Sequence, residues 1–278
     1  MRRADKRNAR TNRGLETMNK NAIDEAARIL WTNLSQRSRI SALPEHCRPH
    51  DRATGYAIQA AIARNSGQDV VGWKIAATSS AGQTHIGVDG PLAGRLLSAR
   101  VFPDGARVSL AGNHMKVAEA EFAFRMGSDL PGREREYGTK EVLAAVESLH
   151  PAIEIPDSRY EDFAQVGAAQ LVADNACASW FVLGKPVSAE WRSRKLSDHD
   201  VSAFRNDALA GKGSGANVLG DPLTALTWIA NELRMYADGL RAGEVVTTGT
   251  CVVPFEIAQG DRIKADFGDF GSVSAELN

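Results

Sequence analysis

The chain has little that would tie it to a polyanion, a membrane or an oxidising compartment. Its 33 Lys and Arg against 34 Asp and Glu leave a net charge of −1, without the basic excess that nucleic-acid binding usually brings. No run approaches the roughly 20 apolar residues that a membrane-spanning helix needs. The three cysteines, Cys47, Cys177 and Cys251, are odd in number and far apart, which argues against a secreted disulfide framework and fits a reducing cytoplasm. No repeat of fixed period is present. The start carries Arg2, Arg3, Lys6, Arg7, Arg10 and Arg13 with almost nothing apolar, so no signal-peptide core follows the charges. Its composition resembles a transit peptide, but the reading adopted is a disordered basic tail over residues 1–18, with an alternative start at Met18.

What is there suits a soluble globular protein. The 278 residues, 43% hydrophobic and 24% charged, allow one large domain, or a domain plus a smaller segment, with a sizeable core. Ile23, Ala26, Ala27, Leu30 and Leu34 follow helical spacing, as do Ala53, Ala57, Ala60 and Ala61 between Asp51 and Arg64. Residues 19–68 therefore read as a helical segment. From Val70-Val71-Gly72-Trp73-Lys74-Ile75-Ala76 onward the texture becomes short strands and glycine turns, so residues 69–278 form a β-rich body. Two helices are expected within it, over Thr139 to Leu149 and over Asp221 to Asp238. The second has Asp221 as cap, Pro222 in its first turn and Gly239 to end it. Short strands follow at Glu244–Thr248, Cys251–Val253, Arg262–Phe267 and Val273–Leu277, which suggests a rolled or barrel-like sheet.

The chemistry concentrates in Val117-Ala118-Glu119-Ala120-Glu121-Phe122-Ala123-Phe124. On a strand, Glu119 and Glu121 emerge on one face while Ala118, Ala120, Phe122 and Phe124 pack on the other. Solvent on the acidic face is the plain alternative. Against it stand the absence of an interleaved lysine and a third glutamate, Glu154, inside a second apolar run, Pro151–Asp157. Paired carboxylates repel and buried charges need partners. Three of them suit a hard divalent ion, Mg²⁺ or Mn²⁺, with positions left open for substrate oxygens. Zinc is disfavoured because no His or Cys is convincingly placed with them.

Other residues carry weaker signals. Lys74 lies among Trp73, Ile75 and Ala76, and by default its ammonium snorkels to water; beside a metal it would pair with a substrate carboxylate or relay a proton. His46-Cys47-Arg48-Pro49-His50 lacks a fourth zinc ligand and reads as a surface segment. Gly211-Lys212-Gly213-Ser214-Gly215 does not match a phosphate loop and reads as a flexible loop or lid. Gly249-Thr250 is either a turn or a carboxylate-holding element.

Taken in order, Gly72-Trp73-Lys74-Ile75, Glu119-Ala120-Glu121, Pro151 through Arg159, Ala173-Asp174-Asn175, Val218 through Leu223 and Gly243 through Thr250 resemble the 2-keto-4-pentenoate hydratase family. This is the hydratase and decarboxylase branch of the fumarylacetoacetate hydrolase superfamily. The resemblance implies an α+β fold with a mixed β roll or barrel and an N-terminal helical segment, and Mg²⁺ or Mn²⁺ on Glu119, Glu121 and Glu154. It implies Lys74 as the acid–base or carboxylate-binding residue, Asn175 and Thr250 near the substrate, and a homo-oligomer. The implied reaction is hydration of a 2-hydroxy-dienoic acid to a 4-hydroxy-2-oxo acid, as in aromatic-compound degradation. Decarboxylation of a 4-oxalocrotonate-like diacid, C–C hydrolysis of an acylpyruvate and a non-catalytic partner role are the alternatives. One departure stands out: where the family has an aspartate in a Pro-Asp-Tyr-Gly-like element, this chain has Leu92 in Gly90-Pro91-Leu92-Ala93-Gly94. Leucine transfers no proton, so the usual relay to water is altered, taken over by another group such as His85, or absent.

Overall fold

The computed structural model describes residues 18–188 and 190–278; the expected tail, apart from Met18, lies outside them. In chain order the first half holds α1 (Lys20–Gln36), α2 (Arg52–Ser66), β1 (Val70–Ala76), α3 (Ser80–His85), β2 (Leu92–Leu97), β3 (Val101–Pro103), β4 (Ala106–Val108), β5 (Val117–Met126) and β6 (Leu130–Pro131). The second half holds α4 (Thr139–Ala144), β7 (Val146–Ile155), α5 (Ala168–Ala173), β8 (Trp180–Leu183), β9 (Asp200–Arg205), β10 (Ala208–Ser214), α6 (Pro222–Tyr236), β11 (Gly239–Leu240), β12 (Val245–Thr250), β13 (Phe255–Glu256), β14 (Arg262–Asp266) and β15 (Ser272–Leu277).

An eight-stranded mixed sheet runs β2-β1-β12-β5-β7-β8-β3, with β13 pairing on β5. A five-stranded sheet, β10-β9-β14-β15-β4, packs against it through β14 and β15 on β7 and β8. The principal core lies between these layers and under α6, around Phe122, Phe124, Ile153, Ile229 and Phe267. This mixed α+β architecture, entered through two helices, matches the expected class.

Local chemistry explains the helices. Asn19 caps α1 by accepting from the Ala22 N–H at 3.0 Å, and Asp51 caps α2 by accepting from the Thr54 N–H at 2.7 Å, each satisfying an otherwise unpaired donor. The two helices share a small core of Ala26, Ala27, Leu30, Ile58 and Ala61, closed by Leu43, Cys47 and Tyr160. Cys47 is thus buried while its neighbours His46 and His50 are exposed. Gln59 fastens α2 to the body by donating to the carbonyls of Ala93 and Val172, both at 2.9 Å.

Four expectations need correction. The helix expected over Thr139–Leu149 stops at Ala144, because Val146 and Leu149 are claimed by β7, opposite Met126 and Phe124 of β5; sheet pairing overrides the helical spacing. The capping of α6 by Asp221 holds, but the helix ends at Tyr236, and Gly239 begins β11. Residues Cys251–Val253 form a bend, since β12 continues through Gly249 to Thr250 and pairing resumes only at Phe255. The glycine-rich segment is not a loop or lid: Gly211 to Ser214 lie in strand β10, Gly215 opens a 3₁₀ turn, and the glycines serve close packing. A Cβ on Gly213 would lie 1.9 Å from the Cys251 carbonyl oxygen, and one on Gly215 2.1 Å from that of Leu196.

Candidate metal centre and its cavity

Register brings the glutamates together. In the antiparallel pair β5–β7, Glu119 stands opposite Glu154, so side chains far apart in sequence emerge side by side. Glu121, two residues along β5, shares the face of Glu119 and is paired across the other edge with Thr250 of β12. One carboxylate oxygen from each glutamate lies within 4.8 Å of the others. Glu121 and Glu154 are fully buried, whereas Glu119 is half-buried at the cavity.

The polar environment is incomplete in a telling way. Glu121 Oε2 accepts from the Thr247 hydroxyl and from the Gly249 N–H at 2.8 Å, yet among the described residues Glu121 Oε1 and both oxygens of Glu154 have no hydrogen-bond donor. Buried carboxylate oxygens are costly without partners. Three acidic side chains converging on one point, two of them with buried oxygens that lack a donor, fit a hard divalent cation.

Lys74 is the nearest positive charge. It sits on β1 opposite Thr247 and is 2% exposed, so its side chain does not snorkel. Its Nζ lies 3.2 Å from Glu154 Oε2 but out of line for a hydrogen bond, and it donates instead to the Ala176 carbonyl at 3.2 Å. Burial disfavours the ammonium, but Glu154, Glu119 and Glu121 together outweigh that and hold its proton on. One lysine cannot balance three carboxylates. Burial and then the Glu119 charge push the Glu121 carboxyl up to about 8, against the pull of Lys74, Thr247 and Gly249. Glu154 is raised well above the ordinary range by burial, which Lys74 only partly offsets. A divalent ion would supply the positive charge that these crowded carboxylates lack.

A backbone turn with three consecutive left-handed residues supports the lysine. Asn175, Ala176 and Cys177 have φ of 57°, 49° and 61°, at a cost of roughly 1–2 kcal/mol each. The turn is held from both sides. The Asn175 side chain accepts from the Arg95 N–H and donates to the Arg95 carbonyl of β2, both at 2.7 Å. Before it, Asp174 accepts from Ser158 Oγ at 2.6 Å and pairs with the buried Arg159 guanidinium, which also reaches the carbonyls of Asp157 and Ala178. Asn175 therefore does not line the cavity described next; its amide positions Ala176 and Cys177, which do. The Cys177 thiol, pushed up to about 12 chiefly by burial, stays protonated.

A cavity of about 1020 Å³ opens over Glu119 and Lys74, at the upper end of the volumes of small-molecule sites. Thr250 lines it, its Oγ1 donating to the Val252 carbonyl at 2.5 Å, as do His85 at the end of α3 and the buried Leu92. Gly249, at φ 101°, is required here: a Cβ would lie 2.1 Å from Thr78 Oγ1.

Sequence reasoning did not single out Thr247, Asp174 or Arg159 for their roles. A threonine facing the acidic pair from an adjacent strand was the available signal for Thr247. Asp174 and Arg159 lay within quoted motifs, but only the fold joins them.

The fold and the acidic triad define a protein of the fumarylacetoacetate hydrolase type, and comparison with known proteins agrees. The fumarylacetoacetate (FAA) hydrolase C-terminal family pattern matches residues 93–278. The chain is 33% identical over 263 residues to 2-keto-4-pentenoate hydratase 1 of Dechloromonas aromatica (strain RCB), covering 91% of this chain and 96% of that one. It is 37% identical over 216 residues to 2-hydroxyhexa-2,4-dienoate hydratase of Comamonas testosteroni, covering 76% and 80%. Among solved structures, 4-oxalocrotonate decarboxylase from Pseudomonas putida G7, complexed with magnesium and adipate, superposes with a TM-score of 0.85 at 28% identity, over 94% of this chain and 99% of that one. The chain belongs to the 2-keto-4-pentenoate hydratase family, in the hydratase and decarboxylase branch of its superfamily. Among the described residues no helix is long and apolar enough to cross a membrane.

Proposed function

We propose that this chain is a divalent-metal-dependent hydro-lyase that adds water to a 2-hydroxy-2,4-dienoic acid to give a 4-hydroxy-2-oxo acid. The observation that carries the reading is the convergence of Glu119, Glu121 and Glu154 within 4.8 Å at a cavity, with buried oxygens left unpaired. These three side chains would hold Mg²⁺ or Mn²⁺. A bound ion of this kind supplies positive charge to the carboxylate and adjacent oxygen of a 2-oxo acid and stabilises enolate-like charge.

The chain's own residues do the rest. Lys74 Nζ, charged and held by Glu154 and the Ala176 carbonyl, contacts the substrate carboxylate, or gives its proton to the distal carbon and is reprotonated by the dienol hydroxyl. Water then adds across the remaining alkene, hydroxyl to C4 and proton to C3. Leu92 offers no proton at the cavity wall, so His85 is the further titratable side chain there with access to water. Thr247 and Gly249 orient Glu121, and Asn175 acts through the Ala176 turn rather than on the substrate. A homo-oligomer in the cytoplasm completes the proposal.

Decarboxylation is the second reading, favoured by Leu92, because loss of CO₂ from a vinylogous 3-oxo acid uses the same electron sink without activating water. The test is turnover of 2-hydroxypenta-2,4-dienoate and of 4-oxalocrotonate by the purified protein, with and without Mg²⁺, for wild type and Glu121→Gln. Metal-dependent hydration lost in the variant supports the proposal. Turnover of neither compound, together with no metal binding, would favour a non-catalytic partner role.

A further inference from the structure

From the acidic triad the strands lead outward along one face, and what they present changes character. On β5 the residue after Glu119 on that face is Val117; on β1 the residue after Lys74 is Ala76; beyond Glu154 of β7 it is Pro156. The pairing directions of β1, β12, β5 and β7 place all three toward the same end. All three line the cavity, and beyond them the wall is continued by Met115, Ile86, Phe163 and Leu171.

Several of the polar side chains around this end are already engaged. Gln83 Nε2 donates to the Ala77 carbonyl at 3.0 Å, Asn217 Nδ2 to the Cys251 carbonyl at 2.7 Å, and Thr250 Oγ1 to the Val252 carbonyl. Among the described lining residues no Lys or Arg other than Lys74 is present, and Lys74 is held at the triad. His85, exposed and edge-on to Phe163 at 6.0 Å, is the one further group able to carry positive charge.

We propose that the substrate is a monocarboxylate whose distal carbon carries an extended uncharged, apolar substituent, and that a second carboxylate at that end is rejected. The inference rests on the proposed function and refines it. A distal carboxylate would enter an apolar wall without a committed cation, which is strongly unfavourable. An alkyl arm would instead bury its methylenes against Val117, Met115 and Ile86, at about fourfold in affinity for each one fully removed from water. A five-carbon dienoate would leave most of the roughly 1020 Å³ unfilled.

The test has two readouts on the Mg²⁺-loaded protein. Calorimetric titration compares pyruvate, 2-oxooctanoate and 2-oxoadipate; we expect 2-oxooctanoate to bind at least tenfold tighter than pyruvate and 2-oxoadipate no tighter than pyruvate. Steady-state kinetics compares 2-hydroxypenta-2,4-dienoates bearing hydrogen, propyl or carboxylate at C5, with kcat/KM expected to rise at least tenfold for propyl and to fall for carboxylate. Ile86→Lys should improve 2-oxoadipate binding relative to 2-oxooctanoate, and Met115→Lys provides the same test should the first variant fold poorly. Equal affinities, or a wild-type preference for the diacid, overturn the inference, and loss of that preference in His85→Gln would name the cation responsible. If no dienoate turns over while 2-oxooctanoate still binds preferentially, the hydratase reading fails and the assignment of the cavity stands.

Discussion

In the metal-free protein, Glu121→Gln should remove a pH-dependent destabilisation that the wild type carries. The Glu121 carboxyl is raised from 4.5 to about 8 by burial and by Glu119. A carboxyl held up in the folded state contributes its stability in full below pH 4.5 and loses it as the pH rises to about 8. Three and a half units at about 1.4 kcal/mol each set a ceiling on the order of 5 kcal/mol. Glu154, raised in the same direction, adds to the slope. Glutamine keeps an oxygen for Thr247 and Gly249 but carries no charge, so the variant escapes most of the loss. The assay is urea unfolding in EDTA from pH 5 to 8, comparing both proteins at each pH. The wild type should lose roughly 3–4 kcal/mol relative to the variant across that range, and saturating Mg²⁺ should restore about 3 kcal/mol or more at pH 8 to the wild type alone. Equal slopes in the two proteins, or a wild type that gains relative to the variant as the pH rises, would refute the reasoning.

Lys74→Met should abolish turnover by about a hundredfold or more while Mg²⁺ binding by titration persists, because the triad remains and one repelling charge is gone. Gly249→Ala places a methyl 2.1 Å from Thr78 Oγ1 at φ 101°; we expect a loss of about 2–4 kcal/mol in thermal unfolding and weaker metal binding through the displaced Glu121 contact. Asp174→Ala leaves the 2%-exposed Arg159 unpaired, costing on the order of 3–5 kcal/mol, measured by denaturant midpoint. Asn175→Ala should reduce kcat more than it raises KM, since Asn175 fixes the turn whose Ala176 carbonyl holds Lys74.

Much of the centre was readable because alternation and apolar context are local properties. Glu119 and Glu121 share a strand face by the period of two alone, and Glu154 interrupts its apolar run in plain view. What escaped was set by distant partners. Val146 and Leu149 carry helical spacing but pair with β5. Gly213 and Gly215 read as flexible because the carbonyls of Cys251 and Leu196, against which they pack, are far away in sequence. Lys74 looked free to reach water because nothing near it in the chain reveals Glu154 or the Ala176 carbonyl. The family resemblance puts Asn175 near the substrate, yet its amide is used by Arg95 of β2.

The most direct measurement is anomalous diffraction from crystals of the protein loaded with Mn²⁺. A single strong peak should lie within about 2.0–2.4 Å of one oxygen each of Glu119, Glu121 and Glu154, at the cavity floor beside Lys74. No peak there at saturating Mn²⁺, or a peak bound by other side chains with Glu154 left uncoordinated, would contradict the account.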